Sequence, residues 1–387
     1  MQIKHGLISA DSHIGLDRDA FQTRMSAKWG DRIPQVVEVE ENGRRVDRWS
    51  VYGKVAGGSE GGGVFNCPAL MPGWPDTNVN PQRWDEVPRR AYDPIARLEA
   101  LDADGVDGEV LFPNNPGQFF FQWGDVEFEL ECVRAYNDAA AEWRQLSDRY
   151  APLTLLPFLS QPSAIVAEIE RAAGLGHRGV NTLAEPSLLS SALPHFSDEH
   201  WFTVWDACEQ LGLPVHIHAS AGMGQLVGVP RWSGFSLHQH HSAFTIPCGA
   251  WPAQLIPNLI FAGIADRFPN LKWVFAETGI GSLNYVMDAC DHEWESRHLW
   301  TEGLPTRPSE IVHRQMFVNF WYEVAGIEDR HRIGIDNIMW ESDFPHVAST
   351  YPRSWGFVEH CLPGVPEPER KKLLYENALR LYRLDAR

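Results

Sequence analysis

Four segments of this chain end a short apolar run on a side chain of the kind that binds metal ions. They are 8–13, 214–218, 274–277 and 338–343, and they end on His13, His218, Glu277 and Asp343. Parallel strands that carry such groups at their carboxyl ends would bring them to one mouth of a barrel. Zinc, iron and manganese all accept mixed imidazole and carboxylate ligands. The pattern therefore predicts a metal site.

Two of these segments carry a pair of polar residues at spacing i, i+2. Asp11 and His13 lie at the end of the first strand, and His216 and His218 at the end of the fifth. On a strand this spacing places both side chains on one face. We expect Asp11, His13 and His218 to bind metal, and His216 to contact substrate or support a ligand. The alternatives are that Asp11 caps a turn and that His216 is a hydrogen-bonded core histidine.

The other two segments add carboxylates. Glu277 follows a buried strand, where a carboxylate is costly unless it is paired or coordinated. Asp343 is predicted both to bind the metal and to act as a general base toward metal-bound water. His346, just past Pro345, is expected to reach the substrate. A helix cap or salt bridge for Glu277, and an exposed loop position for His346, are the alternatives.

A loop after the fifth strand, residues 219–250, contains the cluster His238, His240 and His241. These histidines could supply a further metal ligand or a proton donor. We assign His241 a catalytic role and His238 a substrate contact. Chance clustering of exposed histidines is the competing explanation.

Eight short apolar runs alternate with segments of helical periodicity, which predicts an α/β fold. The strands are expected at 6–11, 107–112, 153–158, 179–184, 214–218, 272–277, 316–321 and 337–343. This alternation is typical of a (β/α)8 barrel. A doubly wound open sheet would bind its ligand at one switch point. Here the ligand-type residues fall on the first, fifth, sixth and eighth strands, which only a closed barrel brings together.

We predict one barrel over residues 1–387, with an insertion at 14–92 that serves as a lid or an oligomer arm. The glycine run at 57–63 lacks the lysine of a phosphate-binding loop, which argues against nucleotide binding. We expect a homo- or hetero-oligomer.

Composition narrows the functional class. The net charge of −18 argues against nucleic acid or an anionic membrane as a partner. The six cysteines form no CxxC pair, and neither a signal peptide nor a transmembrane run is evident, so a cytoplasmic protein with reduced thiols is predicted. Sixteen tryptophans suggest a small aromatic or bulky apolar substrate, or simply a large core.

At this point the chain resembles the amidohydrolase-related group of the amidohydrolase superfamily, which contains the aminocarboxymuconate semialdehyde and resorcylate decarboxylases. The matching stretches are 9–13, 97–107, 214–219, 268–272 and 341–346. The resemblance implies a (β/α)8 barrel that binds a divalent metal through Asp11, His13, His218 and Asp343. Decarboxylase relatives usually have a histidine on the sixth strand, where this chain has Glu277.

That departure leaves several functions open. An oxygen-rich ligand set moves the expected metal from zinc towards manganese or iron. If one loop histidine joins this set, there are enough ligands for two ions, with Glu277 as the bridge. Because the sixth-strand histidine is missing, we modestly favour a hydrolase over a decarboxylase, unless His241 or His346 supplies the proton. The alternatives are an oxygen-activating enzyme with two iron or manganese ions, and a non-catalytic barrel that partners a catalytic subunit.

Overall fold

The computed structural model describes residues 1–55, 81–114, 116–182, 186–189, 193–218, 234, 239, 252–346 and 348–384. Its strands are β1 Ile8–Ile14, β2 Gln35–Glu41, β3 Arg44–Val51, β4 Lys54–Val55, β5 Gly108–Pro113, β6 Tyr150–Leu155, β7 Gly179–Thr182, β8 Val215–His218, β9 Trp273–Ala276, β10 Met316–Phe320 and β11 Ile338–Trp340. Eight of these strands correspond to the eight that the sequence predicts.

The α-helices follow most of these strands. They are α1 Pro94–Asp104, α2 Val126–Leu146, α3 Pro162–Leu175, α4 Pro186–Leu189, α5 Phe202–Leu211, α6 Pro252–Phe261, α7 Ile264–Arg267, α8 Leu283–Ser296, α9 Pro308–Gln315, α10 Ala325–Glu328, α11 Arg330–Ile333, α12 Ser354–Cys361, α13 Glu367–Lys371 and α14 Asn377–Tyr382. A π-helical turn, Lys372–Glu376, joins the last two. Short 3-10 helices are Ala27–Arg32, Trp84–Glu86, Arg89–Ala91, Gly117–Trp123, Glu199–Trp201, Leu299–Glu302 and Ile335–Asn337. Among the described helices, none combines the length and apolarity that crossing a bilayer requires.

The chain divides into two compact units. The first contains residues 1–178, 342–356 and 384–387. In it β1, β5 and β6 are parallel neighbours, in that order. Both β5 and β6 are buried along their whole length, as expected for parallel strands covered on two faces. A short bridge from Ser12 to Phe344 pairs the other edge of β1 with the segment that follows Glu341.

Helix α1 shows how the sequence sets an element of this unit. Asp93 caps its start by accepting hydrogen bonds from the backbone amides of Ile95 and Ala96, and Pro94 occupies the first helical position. Gly105 ends the helix with a left-handed φ of 73°. The helix therefore has fixed ends, and it buries Arg97 on its inner face.

The predicted insertion contains structure that the sequence analysis did not anticipate. Of residues 14–92, the structure describes 14–55 and 81–92, and β2, β3 and β4 form an antiparallel sheet there. Asn42 and Gly43 turn the β2–β3 hairpin with φ values of 50° and 72°. Whether the insertion acts as a lid or an oligomer arm stays a prediction.

The second unit contains residues 179–341 and 357–383. Its five strands are parallel and adjacent in chain order, β7, β8, β9, β10 and β11. Its core includes Trp205, whose ring packs edge-to-face on Trp273 at a centroid distance of 5.3 Å. Strands β9 and β11 end at Ala276 and Trp340, so Glu277 and Glu341 each follow directly on a buried strand.

Candidate metal centre

Asp11 and His13 lie side by side in the carboxyl-terminal half of β1. Both are buried, with 0% and 3% of their surface exposed. His13 Nε2 lies 3.5 Å from Asp11 Oδ1. The pairing of β1 with β5 shifts register between Ser9 and Ser12, so the two side chains meet on a strand that is locally irregular. The predicted proximity of this pair is present in the structure.

Asp343 and His346 come to the same place from the segment after β11. The backbone amide of Asp343 donates to the carbonyl of Asp11 at 3.0 Å, and the amide of His13 donates to the carbonyl of Phe344 at 2.7 Å. These two bonds place Asp343 beside the end of β1. Asp343 has a φ of 55°, a left-handed value uncommon for a residue with a side chain. Backbone strain of this kind is concentrated at functional sites.

Three of the four side chains form a tight group, which we call the His13 cluster: His13, Asp343 and His346. Asp343 Oδ1 lies 3.3 Å from His13 Nε2 and 2.8 Å from His346 Nδ1. The two imidazole rings stack with centroids 3.7 Å apart. Each residue offers a ligand atom, and these atoms lie within 4.8 Å of one another. One small cation could therefore contact several of them.

The environment of Asp343 fits a bound cation. Its carboxylate is fully buried, and its Oδ1 faces the imidazole nitrogens of His13 and His346. Burial by itself would raise the pKa of Asp343, but the facing imidazoles of His346 and His13 outweigh it and hold the pKa below the usual range. A buried carboxylate that remains ionised is usually paired or coordinates a metal.

His218 and Glu277 form a second group, within the other unit. His218 Nε2 lies 3.5 Å from Glu277 Oε2, and both side chains are partly exposed. The backbone amide of Glu277 donates to Oε2 of the buried Glu341 at 3.2 Å. Glu277 also has a left-handed φ, of 54°. That His218 and Glu277 bind the same ion as Asp11, His13 and Asp343 stays a prediction.

His216 has a different environment from His218. Its ring is fully buried, with Nδ1 3.0 Å from the carbonyl oxygen of Val180 and Nε2 2.9 Å from the hydroxyl of Tyr382. Burial lowers the pKa of His216 to about 3, so the ring is neutral. This burial and these hydrogen bonds are typical of a structural histidine, and they do not support the predicted contact of His216 with the substrate.

The remaining predicted residues divide into two kinds. His346 is placed beside Asp343, with its side chain 10% exposed. His238 and His241, with His240, lie outside the described residues, so their catalytic and substrate roles stay predictions.

Sequence reasoning missed two features near the His13 cluster. Asn114 follows directly on β5, and its Nδ2 lies 3.4 Å from His346 Nε2. A polar residue after a buried strand is the same signal that identified Glu277, so Asn114 could have been found. The second feature is a buried ion pair between Arg97 and Glu109, for which the sequence pattern gave no signal.

Comparison with known proteins defines the class of this protein. The model of the amidohydrolase family matches residues 48–384, which is most of the chain. The chain therefore belongs to the amidohydrolase family, as its motifs predicted, and is a metal-dependent enzyme of the hydrolase or decarboxylase type. A curated relative, the gamma-resorcylate decarboxylase of Rhizobium radiobacter, is 25% identical over 320 residues, which cover 79% of this chain and 91% of the relative.

Solved structures confirm the predicted (β/α)8 barrel. An amidohydrolase of Mycobacterium avium subsp. paratuberculosis K-10 superposes with a TM-score of 0.75 at 19% identity, over 97% of this chain and 98% of that one. The dihydroxybenzoic acid decarboxylase of Polaromonas sp. JS666, solved with bound manganese and the inhibitor 2-nitroresorcinol, has a TM-score of 0.60 at 21% identity. The superposition covers 79% of this chain and 90% of the decarboxylase. The open doubly wound sheet is therefore excluded.

Proposed function

We propose that this enzyme removes the carboxyl group of a small hydroxylated aromatic acid, with the help of one divalent metal ion. The observation that carries this proposal is the His13 cluster, in which the imidazole Nδ1 of His346 lies 2.8 Å from the buried carboxylate of Asp343. The relatedness to a resorcylate decarboxylase supports the substrate class.

Asp11, His13 and Asp343 are the residues that would hold the ion, with His218 and Glu277 as further predicted ligands. The bound ion would supply positive charge that fixes the substrate carboxylate and a neighbouring oxygen. Three carboxylates with two imidazoles favour manganese or iron over zinc. The manganese in the dihydroxybenzoic acid decarboxylase of Polaromonas is in line with this preference.

His346 is the residue proposed to deliver the proton. Its Nδ1 faces the ionised Asp343, which favours a proton on that nitrogen and leaves Nε2 as the atom that exchanges protons. Asn114 lies beside Nε2 and orients this edge of the ring. Decarboxylation breaks the bond from the ring carbon to the carboxyl carbon, and the electron pair stays on the ring. The imidazolium form of His346, which carries a proton on both ring nitrogens, would then give its Nε2 proton to that carbon as carbon dioxide leaves, and the neutral ring would keep its Nδ1 proton toward Asp343.

This role for His346 favours decarboxylation over hydrolysis. The sequence favours a hydrolase because Glu277 replaces the usual sixth-strand histidine. Since His346 already lies against Asp343, a proton donor is available without that histidine. Hydrolysis, with Asp343 as general base toward bound water, remains the second candidate because the family contains hydrolases.

The proposal is tested by reaction in deuterium oxide. Chelator-treated enzyme, reloaded with Mn²⁺, is incubated with 2,6-dihydroxybenzoate, 5-carboxyvanillate and related hydroxybenzoates, and with a matched set of aryl esters and amides. We expect one acid to be consumed with release of carbon dioxide and incorporation of one deuterium at the vacated ring carbon.

Cleavage of an ester or amide with no decarboxylation would contradict the proposal and support the hydrolase. Activity that survives exhaustive metal removal would contradict the metal requirement. Absorption bands of a dinuclear iron centre in the purified protein would instead favour the oxygen-activating alternative.

A further inference from the structure

Arg97 and Glu109 form an ion pair that is completely buried. Both side chains are 0% exposed. Arg97 Nε donates to Glu109 Oε1 at 2.7 Å and its Nη2 donates to Oε2 at 3.0 Å, which is the two-pronged arrangement of a guanidinium on a carboxylate. Desolvation of two charges makes such a pair costly, and hydrophobic residues of similar size would often stabilise the fold equally well. Its presence therefore calls for a reason other than stability.

The remaining contacts of Arg97 supply that reason. Its Nη1 donates to the carbonyl of Arg90 at 3.3 Å, and the two hydrogens of Nη2 are shared among Glu109 Oε2, the carbonyl of His13 at 3.1 Å and the carbonyl of Phe344 at 2.9 Å. The guanidinium lies 4.1 Å from the centroid of the Phe344 ring. His13 is a predicted ligand, and Phe344 is the residue directly after the predicted ligand Asp343. One side chain thus binds the backbone of the predicted ligand His13 and of the residue next to the predicted ligand Asp343.

The opposite side of this junction is fixed by hydroxyl groups. Ser9 Oγ accepts a hydrogen bond from the amide of Ser342 at 2.8 Å and donates to the carbonyl of Asp11 at 2.6 Å. Ser12 Oγ lies 3.1 Å from Ser342 Oγ. These serines hold the segments together, and Arg97 contacts the carbonyls of both His13 and Phe344.

We propose that Arg97, oriented by Glu109, is a positioning residue that sets the distance between the metal ligands His13 and Asp343. This inference rests on the proposed metal function. A guanidinium can serve one carboxylate and two carbonyls at once because its donors lie in a rigid plane, whereas a lysine ammonium cannot. We therefore predict that a positive charge at position 97 is not sufficient to position the ligands, and that the planar guanidinium with its several donors is required.

The test measures Mn²⁺ affinity, with no substrate present. Chelator-stripped protein is titrated with Mn²⁺, and the unbound ion is followed by electron paramagnetic resonance. Arg97→Lys and the double variant Arg97→Met/Glu109→Leu are compared with the unaltered protein. The double variant removes both charges, so it avoids leaving Glu109 buried without its partner. We expect Mn²⁺ to bind about 10–100-fold more weakly in both variants, as is usual when groups that orient ligands are lost.

Arg171→Met is the matched control. Arg171 also binds a buried carboxylate, that of Glu168, through Nε and Nη2 at 2.8 Å each, and its Nη1 donates to Asp138 rather than to a residue of the His13 cluster. It should alter thermal stability and leave Mn²⁺ affinity unchanged. A purely structural role for Arg97 predicts the same result for the Arg97 variants, namely a shifted melting temperature with unchanged affinity in the folded protein.

The outcomes separate this inference from the proposed function. If the unaltered protein binds Mn²⁺ and folded Arg97 variants bind it equally well, the positioning role is overturned and the metal function stands. If the unaltered protein binds neither Mn²⁺ nor Zn²⁺, both proposals fail. If Arg97→Lys retains full affinity while the double variant loses it, charge is sufficient and the proposed need for the guanidinium is wrong.

Discussion

Replacement of His346 by glutamine should separate proton transfer from metal binding. His346 contributes a contact of 2.8 Å to Asp343 and a ring stacked on His13 at 3.7 Å. Glutamine retains a hydrogen-bonding group but cannot carry a proton at neutral pH. General acid catalysis by a positioned side chain is worth about 10²–10⁴-fold in rate. We expect kcat for decarboxylation to fall by about 10²–10³-fold, or roughly 3–4 kcal/mol in activation free energy.

The assay combines kcat, deuterium incorporation and Mn²⁺ affinity on the same preparations. Because His13 and Asp343 remain, Mn²⁺ should still bind, about 10–100-fold more weakly at most, as is usual when a residue that contacts a metal ligand is lost. His360→Gln, at an exposed position of α12, is the matched control and should match the unaltered enzyme. A loss of Mn²⁺ binding in His346→Gln would make His346 a ligand, and an unchanged kcat would refute its role as proton donor.

Three further predictions concern stability and ligation. Burial raises the pKa of Glu129 to about 8 although it accepts a hydrogen bond from the amide of Leu159. The folded state therefore keeps a proton that the unfolded state releases near pH 4.5. The free energy of unfolding should fall as the pH rises from about 4.5 to about 8, by roughly 5 kcal/mol for a pKa shift of this size. Glu129→Gln should remove that decline in urea unfolding measured across this range; an identical slope would disprove the assignment. His216→Phe should lower the free energy of unfolding by roughly 1–3 kcal/mol, because the hydroxyl of Tyr382 loses this hydrogen-bond partner. Its Mn²⁺ affinity should stay unchanged, and weakened Mn²⁺ binding would instead indicate a role of His216 at the metal. His218→Ala should weaken Mn²⁺ binding by more than about 100-fold if His218 is a direct ligand, and an affinity equal to that of the unaltered protein would remove it from the ligand set.

The barrel strands could be predicted because each is a short buried run between turn residues. The β2–β3 hairpin was missed, although Asn42-Gly43 between alternating apolar and polar residues is a strong hairpin signal. The run from Gln35 to Glu41 contains three valines among three glutamates, so it lacks the continuous apolar sequence by which a buried strand is recognised. A strand with one solvent-facing side is recognised by alternating apolar and polar residues, whereas a strand buried on both sides is recognised by a continuous apolar run.

The His13 cluster could be predicted in part, for the same physical reason. Residues at the carboxyl ends of parallel strands converge, so Asp11, His13 and Asp343 were expected together. The different environments of His216 and His218 could not be read from their shared spacing, because burial by Tyr382 comes from a residue 166 positions away in sequence.

Arg97 is harder still to recognise. An arginine in an amphipathic helix reads as a surface residue, and its burial depends on Glu109 and on the backbone of Phe344, 247 positions away. Only the folded structure brings these groups together. Positions such as this one, where a charge is buried against expectation, are where the sequence pattern and the structure differ most.

The most direct test of the account is the number of Mn²⁺ ions bound per chain, measured by titration of chelator-stripped protein with electron paramagnetic resonance detection. A single catalytic metal site predicts about one tightly bound ion in the unaltered protein. It also predicts loss of that ion in Asp343→Asn, because Asp343 is the buried carboxylate that contacts both His13 and His346. Equal Mn²⁺ binding by Asp343→Asn, or no binding by the unaltered protein, would contradict a metal site formed by His13 and Asp343.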